Sequence, residues 1–256
     1  MIAPALSRLI EAHAIECYPR EACGLVIDGT VVERYIDGTY VPVENIHAHP
    51  EAAFHIDPQA LIKYEGRITA YVHSHPNGPD APSEHDMITQ ERIGLPSIIV
   101  STDGINCTEP FEFGECLPPH PLEGRSFRHA VTDCFEAIRD WYTVTVPEKN
   151  IKIASCPRDW GWWKDGKDYY RDNFRDAGFR LLEEGEEQQY GDAFFVSVGS
   201  PVPNHGGIYL GNAMIYHHLG STRHGPYSPS HLSVVEFGLR WQSYRPTFVR
   251  HRNFEQ

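Results

Sequence analysis

The sequence predicts an α/β domain followed by an α+β domain. In the first half, short β-type segments alternate with amphipathic helices, whereas in the second half a helix precedes several consecutive strands. The stretch CLPPHPLEGR, residues 116–125, holds three prolines and a glycine, which interrupt regular structure. A chain of 256 residues has room for two ordinary domains. We therefore predict domains at residues 1–115 and 127–256, joined by a linker at residues 116–126.

Elements of the first half follow from apolar spacing and turn dipeptides. Residues at helical intervals between Leu6 and His13 predict an opening helix that ends before Pro19. Three β-type runs come next, and the Asp-Gly dipeptides between them favour positive φ, which predicts a β-meander. The predicted elements are strands Cys23–Ile27, Val31–Tyr35 and Tyr40–Val43, helix Asp57–Tyr64, strand Ile68–His73, helix Ser83–Ile93 and strand Ser97–Ser101.

The second half is predicted to place its helices before its sheet. The predicted elements are helix Val131–Trp141, helical pieces within Asp165–Phe179, and strands Asp192–Val198, Gly206–Leu210 and Ala213–His217. This order is typical of an α+β domain.

Composition narrows the classes of function. A formal net charge of -13 makes nucleic acid an unfavourable partner, because binding to phosphate backbones depends on clustered Lys and Arg. The longest apolar runs are too short to span a bilayer, so no membrane segment is predicted. Arg8 and Glu11 interrupt the N-terminal apolar residues, so we expect no secretory signal and synthesis in a cytosol. Six scattered cysteines favour free thiols over a disulfide framework.

A candidate metal site lies in the first half. His73 and His75 flank one residue on a predicted strand, so both imidazoles emerge on the same face. A loop leads to Ser83 and Asp86 at a helix start, where Asp86 can fold back as a third ligand. Two His and one carboxylate with an open position are typical of catalytic zinc. The alternative is a surface His pair beside an ordinary helix cap.

Read together with the upstream REACGLV, these positions resemble the JAMM (MPN-plus) metalloprotease signature, which has a cytidine-deaminase-like α/β fold. The resemblance implies Zn2+ held by His73, His75 and Asp86. It also implies that Glu21 is the general base and that Ser83 helps to hold the oxyanion.

A candidate nucleophile lies in the second half. Cys134 stands near the start of a predicted helix, where the helix dipole favours the thiolate and a low pKa is expected. His205 and His217 lie twelve residues apart on two predicted strands, so one imidazole can act as base and the other can orient it. His218 competes with His217, because neighbouring strand residues face opposite ways. The alternative for Cys134 is an inert buried thiol.

The segments TDCFEAIRDWY and NHGGIYLG, with the final His, resemble the NlpC-type cysteine peptidases, which have a papain-like α+β fold. The resemblance implies Cys134 as nucleophile, His205 as base and His217 as the orienting residue. Gly206 departs from the larger apolar residue that this family carries. The remaining cysteines are predicted to be structural: Cys17, Cys23, Cys107, Cys116 and Cys156. An aromatic group can either line a substrate groove or pack a helical lobe: Trp160, Trp162, Trp163, Tyr169 and Tyr170.

Across nearly its whole length, including GWWKDGKDYYRDNF, the chain resembles the tail assembly proteins of lambda-like siphophages. This implies a virion tail-tip peptidase that is assembled in the host cytoplasm, acts on bacterial peptidoglycan and contacts other phage tail-tip proteins. A non-catalytic assembly component is the alternative. A cellular deubiquitinase-like or sulfur-transfer protease, suggested by the first half alone, is disfavoured by the second.

Overall fold

The computed structural model describes residues 1–220, 225–231 and 233–254 and divides the chain into two compact units, Met1–Pro118 and Pro119–Gln256. The point of division falls within the predicted linker, whose last residue, Ser126, already begins a strand. The predicted domain boundaries themselves stay a prediction. In the described part of the chain, no helix combines the length and apolar character needed to cross a membrane.

The first unit is a five-stranded sheet with helices around it. Its elements are α1 (Pro4–Cys17), β1 (Cys23–Val32), β2 (Tyr35–Val43), α2 (Pro58–Lys63), β3 (Ile68–Pro76), α3 (Glu84–Ile93), β4 (Ser97–Thr102) and β5 (Phe111–Phe113). The strand order is β2-β1-β3-β4-β5. Only the β3–β4 pair is parallel, and α3 connects these two strands. The sheet is therefore mixed, as an α/β domain requires.

Both faces of this sheet are covered. On one face, α1 packs through Leu6, Ile10 and Ala14 against a buried cluster that includes Val26 and Ile98. A second cluster on the other face gathers around Cys23, Leu25, Ile27 and Ile56. Each fully buried aliphatic side chain contributes about 1.5–3 kcal/mol. This burial fixes β3, the strand that carries the candidate ligands.

The predicted β-meander is wrong. The structure has one long hairpin, β1 and β2, whose chain reversal lies at Glu33 and Arg34. Asp28 has a φ of 52°, but it lies in a register shift within the pairing of β1 and β2 and not in a turn. Its carboxylate pairs with Arg67 and its backbone N–H donates to the Arg67 carbonyl. The positive φ that the Asp-Gly dipeptide favours therefore occurs in a β-bulge of β1 and not in a turn between strands.

The second unit places a helix against a six-stranded antiparallel sheet. Its elements are β6 (Ser126–Arg128), α4 (Cys134–Thr145), α5 (Tyr169–Asn173), β7 (Phe179–Leu181), β8 (Ala193–Val196), β9 (His205–Gly211), β10 (Met214–His217), β11 (Tyr227–His231), β12 (Ser233–Glu236), α6 (Leu239–Ser243) and β13 (Thr247–His251), with short 3-10 helices at Pro147–Lys149, Trp162–Asp165 and Arg252–Phe254. The main sheet has the order β12-β10-β9-β8-β13-β7, and β11 pairs with β6 separately.

Helix α4 packs its apolar side on this sheet. Ile138 and Trp141 belong to a buried cluster with Phe195, Ile208 and Tyr216 from the strands below. The opposite face of the sheet is covered by Trp241 from α6, which packs in a second cluster with residues of β8 and β10. The predicted fold classes, α/β first and α+β second, are confirmed.

Two candidate catalytic sites

Strand β3 presents two histidines at one point. His73 and His75 are both buried, and their Nε2 atoms lie 3.1 Å apart. The strand continues through both residues, so its alternation places them on the same face as predicted. The ring of His73 stacks on Phe54 at 4.6 Å between centroids. The Nδ1 atom of His75 lies 2.9 Å from the Pro79 carbonyl, so Nδ1 carries the donated hydrogen and Nε2 keeps its lone pair.

Asp86 completes a group of three ligand atoms. Its Oδ1 lies 3.2 Å from His73 Nε2 and its Oδ2 lies 3.4 Å from His75 Nε2. All the ligand atoms of the group lie within 4.8 Å of one another. A tetrahedral zinc ion with bonds of about 2.0–2.1 Å spaces its ligand atoms about 3.3 Å apart. The three side chains therefore fit zinc by both donor type and spacing.

The start of α3 holds Asp86 in this orientation. Ser83 is the N-cap, and its backbone N–H and its hydroxyl donate to Asp86 Oδ2 at 2.8 and 2.7 Å. The Asp86 N–H donates in turn to Ser83 Oγ at 3.1 Å. The carboxylate that caps α3 is therefore the same one that faces the two histidines. The cap fixes the direction in which its oxygens point.

Opposing electrostatic effects act on the group. Burial disfavours the charged form of Asp86, but the adjacent His73 and His75 hold the pKa of this carboxyl well below its usual range. Burial also opposes protonation of His75, yet the hydrogen bond and charge of Asp86 leave the pKa of His75 raised. Asp86 is therefore ionised and available as a ligand.

Glu21 lies within electrostatic range of all three side chains. Burial raises the pKa of Glu21, while the nearby His73 and His75 act in the opposite direction. The backbone around Glu21 is tied down because Asn45 donates to its carbonyl at 3.0 Å. Asn45 also donates to the Ala53 carbonyl at 3.0 Å. The role of Asn45 was not predicted from the sequence. The feature that could have indicated it is the position of this Asn between a predicted strand and a His-rich loop.

The second site is built at the first turn of α4. Cys134 is the first residue of the helix and is buried. Its Sγ lies 3.4 Å from the Tyr170 hydroxyl and 4.0 Å from the Asn204 carbonyl. Within the described residues, no hydrogen bond joins Cys134 to His205. Both side chains nevertheless line one cavity of about 340 Å³.

The expected low pKa of Cys134 is wrong. Burial, followed by the charge of Asp133, raises the pKa of the Cys134 thiol to about 11, although the Tyr170 hydrogen bond acts in the opposite direction. The helix start alone suggested a thiolate, but desolvation outweighs it. At neutral pH the resting side chain is a thiol.

A buried charge network that sequence reasoning missed lies behind Cys134. Asp133 accepts the Phe135 and Glu136 N–H groups at 3.0 and 3.1 Å and thereby caps α4. The guanidinium of Arg158 donates to Asp133 at 2.6 Å, and His129 Nδ1 lies 3.3 Å from the same oxygen. Arg158 and its neighbours hold the pKa of Asp133 well below its usual range despite burial. The network fixes the first turn of α4.

His205 and His217 are brought together on β9 and β10. Their rings lie 5.2 Å apart at 86°, and the ring of Trp241 packs on both. In the described part of the chain, His205 Nε2 and His217 Nδ1 have no hydrogen-bond partner. The ring of His218 packs edge-on against Phe127 instead. Of the two alternatives for the third residue, the structure places His217 beside His205.

The five aromatic residues pack on one another and also border the cavity of the second site. The rings of Trp160 and Trp163, for example, pack at 4.9 Å and 88°. All five residues also line the cavity that contains Cys134 and His205. Cys156 lines this cavity too, although it was predicted to be structural. All six cysteines are free thiols.

Comparisons with known proteins cover the residues of both units. The family described as prokaryotic homologs of the JAB domain matches residues 3–113, in agreement with the JAMM resemblance. Tail tip assembly protein K of Escherichia phage N15 is 32% identical over 249 residues, which cover 95% of this chain and 93% of that protein. Tail tip assembly protein K of Escherichia phage lambda is 33% identical over 189 residues, which cover 73% and 84%.

Two further similarities are to a protein described as a protease and to a solved structure. The probable TtuB-protein conjugate cleaving protease of Thermus thermophilus is 39% identical over 101 residues, which cover 37% of this chain and 64% of that protein. The solved structure of an NlpC/P60 family protein from Bacillus cereus ATCC 10987 is 13% identical, with a TM-score of 0.28, and the match covers 92% of this chain and 64% of that chain.

Proposed function

The chain belongs to the tail tip assembly protein K family, and from that premise we propose that it is a phage tail-tip peptidase with a zinc site and a cysteine site. The observation that carries the proposal is the convergence of His73, His75 and Asp86 on one point, with Nε2 and carboxylate oxygen atoms 3.1–3.4 Å apart. The JAB-type family match and the similarity to a protein-conjugate cleaving protease support the same reaction class.

The first unit is proposed to hydrolyse an isopeptide bond or another unusual amide bond. His73, His75 and Asp86 would hold Zn2+, which would supply Lewis acidity to the attacked carbonyl group and to the attacking water. Glu21 accepts the proton of that water at its carboxylate and passes it to the leaving amine, a role that suits a carboxylate of raised pKa. The Ser83 hydroxyl donates its one hydrogen to Asp86 in the resting site and is proposed to turn it to the developing oxyanion, while the Ser83 N–H keeps its bond to Asp86.

Metal content tests the zinc assignment. Protein purified without added metal and analysed by atomic emission is expected to carry a single zinc ion per chain. His75→Ala is expected to lose it, because two ligands alone hold zinc weakly. The matched control is His85→Ala, which removes an exposed histidine from the same helix as Asp86. Equal zinc content in the wild type and His75→Ala would overturn the assignment.

The second unit is proposed to hydrolyse peptidoglycan stem-peptide amide bonds. The Cys134 sulfur attacks the amide carbonyl carbon, His205 passes the thiol proton to the leaving amine, and the carbon–nitrogen bond breaks to give a thioester. Water then attacks the thioester, His205 takes the water proton, the carbon–sulfur bond breaks, and the sulfur regains that proton from His205. His217 orients His205; the two unpartnered nitrogens on rings 5.2 Å apart support this pairing.

Digestion of purified peptidoglycan tests the cysteine site. The wild type is expected to release cleaved stem peptides, and Cys134→Ala is expected to release none. Cys116→Ala, which removes an exposed cysteine of the first unit, is the control and should match the wild type. Equal release by Cys134→Ala and the wild type would remove Cys134 from the mechanism.

A non-catalytic assembly role is the second candidate function. The observation that favours it is the buried neutral Cys134, which has no hydrogen bond to His205 within the described residues. On this alternative the chain acts at the tail tip by binding other tail proteins. Phages that carry both Glu21→Ala and Cys134→Ala distinguish the two: infectious tails from the double variant, with none from a deletion, would favour the assembly role.

A further inference from the structure

One hydroxyl contacts the candidate nucleophile and has no role in the mechanism above. The Tyr170 hydroxyl lies 3.4 Å from Cys134 Sγ. We propose that Tyr170 is a positioning residue whose hydroxyl donates a hydrogen bond to the Cys134 sulfur when the sulfur loses its proton, and so stabilises the attacking thiolate at the cavity. This inference rests on the proposed cysteine peptidase function and adds to it a residue that sets the reactivity of the nucleophile.

The ring of Tyr170 is held from several sides. It stacks on Phe195 with centroids 5.6 Å apart and an interplanar angle of 27°. Phe135, the residue after Cys134, meets it edge-on at 6.4 Å, and Trp162 contacts it at the same centroid distance. Such contacts restrict the rotation of the ring, so the hydroxyl is directed at the sulfur before substrate binds.

Gly206 makes room for this ring. A Cβ added at Gly206 would lie 3.2 Å from Tyr170 Cε1, 3.1 Å from Ile138 Cδ1 and 2.8 Å from the Phe194 carbonyl oxygen. The larger apolar residue that NlpC-type enzymes carry at this position would collide with the Phe194 carbonyl oxygen and press tightly on Ile138 and Tyr170. The departure from the family pattern at Gly206 is therefore matched by the tyrosine that occupies the space.

The direction of the hydrogen bond follows from the charge on the sulfur. A thiol can donate, and the Asn204 carbonyl 4.0 Å away is an acceptor for it. A thiolate can only accept, and the Tyr170 hydroxyl is then the donor. Burial raises the pKa of Tyr170 well above its usual range, so the hydroxyl keeps its proton. Burial and the charge of Asp133 raise the pKa of Cys134, and the hydrogen bond from Tyr170 lowers it.

Labelling of Cys134 by iodoacetamide, followed by peptide mass spectrometry, tests the proposal without substrate. Only the thiolate reacts, so the labelling rate at a given pH below the thiol pKa reports that pKa. Tyr170→Phe keeps the ring and removes only the hydroxyl. We expect labelling to slow by about tenfold at each pH, because hydrogen bonds to charged groups are among the stronger ones. The kcat for stem-peptide cleavage should fall with little change in KM.

Two further variants separate positioning from structure. Tyr142→Phe removes a buried hydroxyl that donates to the Gly191 carbonyl at 2.7 Å, so it should lower the unfolding midpoint without changing Cys134 labelling. Tyr190→Phe removes a more exposed hydroxyl and should change neither. Unchanged labelling in Tyr170→Phe would overturn the proposal, as would equal slowing in Tyr142→Phe.

The outcomes also separate this inference from the proposed function. Slower labelling of Tyr170→Phe in a protein that leaves peptidoglycan intact would support the role of Tyr170 at Cys134 and contradict the peptidase assignment. Active cleavage with unchanged labelling would support the peptidase and contradict the positioning role.

Discussion

The two candidate sites use a carboxylate at a helix start in different ways. In the first unit, Asp86 belongs to the cap of α3 and also faces the site, so the bonds that fix the helix also fix a ligand. In the second unit, Asp133 caps α4 from behind Cys134, where its charge helps to raise the pKa of the thiol. A negative charge stabilises bound metal but disfavours a thiolate. The first site is therefore preorganised, whereas the second rests in a neutral state.

Replacing the base of the first site should have the largest effect. Glu21→Gln removes the proposed proton acceptor but none of the proposed metal ligands, so amide hydrolysis by the proposed zinc site should fall about 10²–10⁴-fold. Zinc content and Cys134 labelling should remain at wild-type values. Glu51→Gln, which changes an exposed residue of the neighbouring loop, is the control. Loss of zinc in Glu21→Gln would contradict the separation of base from ligands.

Replacing the cap of the second site should have a smaller effect on rate and a large effect on stability. Asp133→Asn removes the nearer charged partner of the buried Arg158 and leaves only Glu136, at 3.6 Å, so the free energy of unfolding should fall by about 3–5 kcal/mol. Asp168→Asn alters the more exposed cap of α5 and should cost about 0.5–1 kcal/mol. Urea unfolding measures both. Equal losses of unfolding free energy in Asp133→Asn and Asp168→Asn would contradict the expectation that the buried cap contributes more than the exposed one.

Acid should have the smallest effect per step, although the loss accumulates as the pH falls. Burial lowers the pKa of His205 well below 6.5 and the pKa of His217 to about 4. Below pH 6.5 the unfolded chain takes up these protons and the folded chain does not, so stability present at neutral pH is lost as the pH falls. The loss should be about 1 kcal/mol per pH unit for each histidine.

Thermal unfolding at stepped pH measures this loss. His217→Asn should flatten the dependence on pH, whereas His49→Asn, at an exposed position of the first unit, should leave it unchanged. An equal slope in His217→Asn and the wild type would contradict the assignment of the acid response to this pair.

Features that depend on local periodicity could be predicted from the sequence. The shared face of His73 and His75 follows from strand alternation, and the Ser83 cap follows from helix-start chemistry. Features that depend on distant contacts could not. The bond between Asp133 and Arg158 joins residues 25 positions apart, and the Tyr170 contact joins residues 36 positions apart. The raised pKa of Cys134 is of this second kind, because the packing that desolvates it is tertiary.

The close approach of Gly206 to Tyr170 has an evolutionary consequence. A side chain at position 206 would meet the Phe194 carbonyl oxygen first, at 2.8 Å from its Cβ, and the Tyr170 ring next to it, at 3.2 Å. We expect lineages that gain a larger residue at position 206 both to shift the Phe194 backbone and to carry a smaller side chain at position 170. In such lineages the sulfur would lose its hydroxyl donor, and another group would have to supply that hydrogen bond.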